Sequence, residues 1–191
     1  MMCEHIIDDL RILKTPPMIG QNGKPKKMVF MNKLNEMRIV ARFDEFITPF
    51  EERFQCEYFG MHSMIFEWYP SNTAPEPPKS DGVTKMKGKW QRYKEIDFTG
   101  IIWLNDYNDS TDFDETFEVY GGSLEFPTFD VSFRPERGTM IIFPSASNFI
   151  HTTSAVQHGS LTQVRLTIRT ETPYEYKPEN FDANHENWNL G

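Results

Sequence analysis

The apolar residues of this chain fall in short runs broken by turn formers. Residues 124–126, 140–143 and 165–168 are such runs, separated by Gly121-Gly122, Pro135 to Gly138, Pro144 to Ser147 and Gly159. Brief apolar stretches punctuated by glycine and proline are the pattern of strands joined by turns. Residues 61–70, MHSMIFEWYP, alternate: His62, Met64, Phe66 and Trp68 fall on one face, and Met61, Ser63, Ile65, Glu67 and Tyr69 on the other. His62, among Met and aromatic neighbours, reads as a core histidine. Residues 98–105, FTGIIWLN, read as a buried strand, and residues 28–31 as a strand that extends the sheet. The whole predicts an all-β sandwich or barrel.

One segment departs from this pattern. Across residues 44–54, Phe46, Ile47, Phe50 and Phe54 recur at helical spacing, with Asp44 placed to cap the N-terminus and Pro49 in the first turns, where a missing N–H costs little. The spacing predicts a helix there. Residues 71–82 form a proline-rich loop, and Lys85, Lys87, Lys89, Arg92 and Lys94 cluster around Trp90 just beyond it. The cluster reads as a solvated loop, or as a rim that draws an anion toward an otherwise acidic protein. Residues 106–118 are an acidic loop, and the chain after Arg169 has aromatic residues without a period.

Length and charge narrow the classes. At 191 residues with no low-complexity linker, one domain spanning 1–191 is expected. The formal charge of −8 argues against a broad surface for neutralising phosphates, so non-specific nucleic-acid binding is not expected, although a local basic cleft is compatible. Cys3 and Cys56 are too few for a disulfide framework. No apolar run approaches the ~20 residues of a membrane span, and the acidic start of the chain is unlike a signal peptide. A cytoplasmic protein with no membrane partner is the expectation.

Candidate chemistry centres on His151. It follows the strand at 140–143 after a small-residue turn, which can aim its imidazole into a barrel mouth. GGSLEFP at 121–127, GTMIIFPS at 138–145, His151, and Arg165 within RLTIRT together resemble the Fe(II)- and 2-oxoglutarate-dependent dioxygenases, specifically the prolyl-4-hydroxylase-like branch common in bacteria and phages. The resemblance covers roughly residues 58–170. It implies a double-stranded β-helix of jelly-roll or cupin-like type, with an N-terminal helix packed on one sheet.

The same resemblance implies a site. The family holds iron with an H-x-D motif and a distal histidine, which leaves positions open for the co-substrate and O₂. Asp81 and His151 match the carboxylate and the distal histidine, while Lys79 stands where the first histidine is expected. Lysine is a poor ligand: freeing its amine at pH 7 costs roughly 4.6 kcal/mol from the reference pKa. Arg165 matches the base that pairs with 2-oxoglutarate, and Trp103 stands where relatives often carry a tyrosine that contacts it. Alternation places Arg165 either inside the barrel, where it binds an anion, or on a solvated outer face.

The function implied by the resemblance is that of a hydroxylase using Fe(II), 2-oxoglutarate and O₂, with ascorbate as an optional auxiliary, on a peptidyl prolyl or other side chain, an amino acid or a nucleobase. The alternative is a disarmed relative that binds or assembles without iron because of Lys79. Between them stand iron held by Asp81 and His151 with water, or with His62 brought in.

Overall fold

The computed structural model describes residues 33–110, 112, 114 and 117–176, together with the backbone of two short strands, β1 (Met18–Ile19) and β2 (Pro25–Val29). His5-Ile6-Ile7, a short apolar stretch of the N-terminal sequence, lies outside the described residues.

Two helices precede the barrel: α1 (Lys33–Asp44) and α2 (Ile47–Phe54). The single helix expected over 44–54 is therefore shorter, and Asp44 ends α1 instead of capping α2, whose N-cap is Phe46, with no side-chain cap bond. The first helix is hard to see in sequence. Its buried stripe is Asn35, Ile39 and Phe43, while the apolar Leu34 and Met37 are about 60% exposed.

The strands are β3 (Tyr58–Tyr69), β4 (Val83–Met86), β5 (Lys89–Arg92), β6 (Phe98–Trp103), β7 (Asp106–Tyr107), β8 (Glu118–Gly121), β9 (Leu124–Phe126), β10 (Val131–Phe133), β11 (Met140–Pro144), β12 (Thr152–Thr153), β13 (Val156–Gly159) and β14 (Leu161–Thr170). The main sheet runs β1-β2-β3-β14-β6-β11, and two smaller sheets, β10-β9-β12 and β13-β8-β7, face it. The pairing of β2 with β3 agrees with the strand expected near residue 28.

Central strand β14 pairs antiparallel with both β3 and β6, and this register sorts the side chains. Residues directly opposite one another share a face. Glu67 lies opposite Gln163, which lies opposite Trp103; Ile65, Arg165 and Ile101 form the next row, and Ser63, Thr167 and Thr99 the next. This face looks toward the smaller sheets, across a core of Tyr69, Ile101, Trp103, Leu124, Phe126, Phe143 and Leu161. The other face carries Phe66, Phe98, Ile102, Val164, Leu166 and Ile168, which pack under Ile39, Phe43 and Phe50 of the helices.

His62 is exposed, contrary to the core position expected from alternation. The register supplies the reason. Thr167 pairs with Ser63 and Ile168 with Met61, so His62 is an extra residue in β3, and Phe59 is another between Arg169↔Gly60 and Thr170↔Tyr58. Each bulge shifts the period of the strand and turns its extra residue outward.

Under the helices, Phe98 is fully buried, with its ring centroid 4.9 Å from that of Phe50, 4.6 Å from Phe54 and 4.5 Å from Tyr174. Aromatic contacts of this kind add to the transfer free energy of the side chain. Phe98→Ala is expected to cost about 3–5 kcal/mol in urea unfolding; a loss under about 1 kcal/mol would show that this cluster does not hold the helices to the sheet.

Candidate functional site

The polar row on the inner face of β14 is the centre of the site. Gln163 and Arg165 alternate with Val164 and Leu166, so the strand that fills the outer core also sends an amide and a guanidinium into the barrel. Arg165 is thus on the inside, 5% exposed. A buried guanidinium must find acceptors, because leaving a charge unpaired in a low-dielectric interior is expensive.

It finds two carboxylates. Arg165 donates through one terminal nitrogen to Asp81 Oδ2 at 2.7 Å and through the other to Glu67 Oε2 at 3.1 Å. Glu67 is itself buried and accepts from Gln163 Nε2 at 2.7 Å and the Tyr69 hydroxyl at 3.2 Å. Asp81 Oδ2 also accepts from the Thr99 hydroxyl at 2.9 Å, and that hydroxyl lies 2.8 Å from Ser145 Oγ. Asp81 is held close to the barrel by its neighbour: a Cβ on Gly82 would lie 2.6 Å from the Ile96 carbonyl oxygen and 2.8 Å from Ser145 Cβ. Only glycine permits that approach.

His151 completes the cluster from the opposite sheet. Its Nε2 lies 3.3 Å from Arg165 and 3.5 Å from Asp81 Oδ2, and its Nδ1 lies 3.2 Å from the Phe149 carbonyl. The guanidinium can only donate, so Nε2 is the acceptor and the ring proton sits on Nδ1, donated to Phe149. Phe143 and Phe126 wall the ring in, with centroids 4.9 and 6.1 Å away.

Lys79 stands directly across from His151, the two backbones exchanging N–H···O bonds of 2.9 Å in both directions. Its ammonium goes to Glu76, at 2.6 Å. Trp103 is buried in the inner core, and its indole N–H has no hydrogen-bond partner among the described residues. Among the described residues no group of three or more His, Cys, Asp or Glu side chains gathers as a metal-holding set, and the exposed His62 stays outside the cluster.

The electrostatics reflect burial and the charge of Arg165. Burial works against the Asp81 carboxylate, but Arg165, then His151, Lys79 and the Thr99 hydroxyl outweigh it and hold the pKa at about 2. Burial, reinforced by Arg165, pushes the His151 imidazole down to about 4 against the pull of Asp81 and the Phe149 carbonyl. His151 is therefore neutral at pH 7, and its approach to Asp81 is not an ion pair. Burial disfavours the charge on Arg165, yet Asp81 and Glu67 keep it firmly protonated. The Tyr69 phenol, buried beside Glu67, is raised well above its usual range.

The site therefore joins Asp81, His151 and Arg165, three residues singled out in the sequence, with Glu67, Gln163, Thr99 and Ser145, which were not. A signal for Glu67 existed: it is the one acid within an otherwise uncharged run, MIFEWY.

No family model matches the chain, and no curated protein does. Solved structures do. A viral collagen prolyl hydroxylase from Paramecium Bursaria Chlorella virus-1, in complex with 2-oxoglutarate, superposes with a TM-score of 0.64 at 16% identity over 87% of this chain and 88% of that one. A Pseudomonas putida prolyl-4-hydroxylase gives 0.63 at 13%, covering 90% and 87%. A Trichoplax adhaerens prolyl hydroxylase bound to a hypoxia-inducible-factor peptide fragment gives 0.65 at 14%, covering 89% and 77%. At such identities the likeness establishes the fold, a double-stranded β-helix of the prolyl-4-hydroxylase kind with helices packed on one sheet.

Two outcomes are expected from the charge cluster. The His151 pKa is lowered from 6.5 to about 4, so between these values the unfolded chain binds a proton that the folded chain does not. Stability is then lost as the pH falls through that window, by roughly 3 kcal/mol in all, and His151→Gln should flatten the profile measured by urea unfolding from pH 7 to 4. Asp81 adds its own loss only below about 3.8. Second, Arg165→Met strands two buried carboxylates and is expected to cost about 3–5 kcal/mol, much of it recovered by adding Glu67→Gln. Strict additivity of the two changes would sink the coupling.

Proposed function

We propose that this chain is a non-catalytic binding or assembly protein on the prolyl-hydroxylase fold, with the guanidinium of Arg165 standing in for a metal ion. One observation carries the reading: the same guanidinium nitrogen is in hydrogen-bond contact with Asp81 and with His151, the two residues that match iron ligands. The lone pair of His151 Nε2 that would bind a metal is directed at that nitrogen. The third position offers Lys79, whose ammonium is paired with Glu76.

The residues do not fit Fe(II). A divalent ion beside Asp81 and His151 would meet the cationic Arg165 at close range. Two unit charges 4 Å apart interact by about 4 kcal/mol at an effective dielectric of about 20, and a divalent ion roughly doubles this. Without an anion between them, relieving the repulsion requires Arg165 to release Asp81 and His151, both of which it holds through one nitrogen. The cluster in place already satisfies both carboxylates.

A second reading, an Fe(II)- and 2-oxoglutarate-dependent hydroxylase with Arg165 as the anchor of the co-substrate, is favoured by Trp103. Its orphaned indole N–H, worth about 1–3 kcal/mol if left unmet in the interior, is the donor that a small acid in the barrel would satisfy. On that reading iron and 2-oxoglutarate would together activate O₂, the oxidant for a substrate C–H bond, and Arg165 would exchange Asp81 for the carboxylate of the co-substrate.

Anaerobic addition of Fe(II) and 2-oxoglutarate, followed by visible absorption, separates the two. The expected result is no charge-transfer band in the wild type or in Lys79→His, and a band in Lys79→His combined with Arg165→Gln, with near-ultraviolet circular dichroism confirming a native core. A band in the wild type would overturn the non-catalytic reading and leave the hydroxylase.

A further inference from the structure

A basic, aromatic hairpin projects from this acidic protein. Among the described residues β4 and β5 pair only with each other, through Lys85↔Trp90 and Met86↔Lys89, and turn at Lys87-Gly88. Both turn residues have positive φ, 49° and 79°, the two-residue turn whose twist matches that of the strands. From Lys85 to Lys94 every residue is exposed. Residues 83–94 hold Lys85, Lys87, Lys89, Arg92 and Lys94 and no carboxylate, in a chain with a formal charge of −8.

Two aromatic rings stand among these charges. Trp90 is 44% exposed and Tyr93 64%, with Lys85 Nζ 6.0 Å from the Trp90 ring centroid and Lys94 Nζ 5.3 Å from that of Tyr93. The base of the hairpin is fixed. Tyr93 N–H donates to the Gly82 carbonyl at 2.9 Å, and Arg92 pairs with the buried Asp97 at 2.9 Å. Arg92 is thereby committed to structure, which leaves four lysines and two aromatic faces on a firmly anchored arm.

We infer that this hairpin is a binding arm for single-stranded nucleic acid, its lysines meeting phosphates and Trp90 and Tyr93 stacking on bases. Alternation of exposed cations and rings is what such a strand recognises, since every nucleotide offers one charge and one π-face. The negative charge elsewhere limits the contact to the arm and so predicts modest, local, salt-sensitive binding. An acidic peptide is the competing polyanion. It would need pockets for its side chains, and neither the cavity of about 210 Å³ beside Trp68 and His158 nor the one beside Arg92 and Arg169 takes in Trp90 or Tyr93. The inference is independent of whether the barrel holds iron.

The test is fluorescence anisotropy of labelled oligothymidylate and oligouridylate of about 15 nucleotides, within the span of a single-strand site, titrated with the full chain at several salt concentrations. Each phosphate neutralised on a single strand contributes about −0.7 to the slope of log K against log salt, so four lysines predict a slope of about −3. Replacing Lys85, Lys87 and Lys89 together by Gln should bring the slope to about −1. Trp90→Ala should weaken binding about tenfold and abolish quenching of tryptophan fluorescence, whereas Trp90→Phe should retain most of the affinity. These side chains are exposed, so the variants should keep the wild-type unfolding midpoint. Absence of binding at low salt, indifference to these changes, or equal competition by polyglutamate would overturn the inference.

Discussion

A single buried guanidinium governs the interior of this barrel. Arg165 lies on the central strand of the main sheet, and its two terminal nitrogens join Glu67 on one neighbouring strand to Asp81 on the segment that crosses toward the smaller sheets. With His151 on the far side, the cluster spans both layers of the sandwich. Charges at such depth are tolerable only when every one is paired and hydrogen-bonded. The supporting residues are therefore requirements. Gln163 and Tyr69 complete Glu67, Thr99 completes Asp81, and Gly82 lets the Asp81 backbone come close enough to be reached.

The same cluster lies apart from the packing that holds the fold together. Packing of the helices on the outer face depends on Phe66, Phe98, Val164 and Leu166, whose side chains lie on the opposite face of the sheet from the polar row. Alternation along β14 keeps the two tasks on opposite faces of one strand. A scaffold so divided can keep its shape while its interior varies, and the superpositions at 13–16% identity bear on the shape alone.

Much of this is legible in the sequence, and the gaps have physical causes. The apolar runs at 124–126, 140–143 and 165–168 mark strands through local periodicity and turn residues, whereas the barrel type and the choice of Asp81, His151 and Arg165 rest on the resemblance of the surrounding motifs to a known family. Alternation misplaces His62 because a bulge is a change in pairing, and pairing involves a strand a hundred residues away. The helix at 33–44 escapes notice because its inward stripe contains Asn35 and its outward side carries Leu34 and Met37. Glu67 as the second partner of Arg165 needs the register of β3 against β14, which one-strand alternation cannot supply. The hairpin at 83–92 reads as a loop because its strands bury little, so no apolar period marks them.

The pairing of Arg165 with two carboxylates also bears on how this chain can change over generations. On the reading proposed above, a histidine gained at position 79 would bring no metal while the guanidinium holds Asp81 and His151. Loss of the arginine without a metal leaves Glu67 and Asp81 facing each other uncompensated. On that reading each step toward an iron site would be neutral or harmful alone, and only the pair favourable. Such an arrangement acts as a ratchet: the exposed surface can vary freely, whereas on that reading the interior would resist the gain of an iron site by single substitutions.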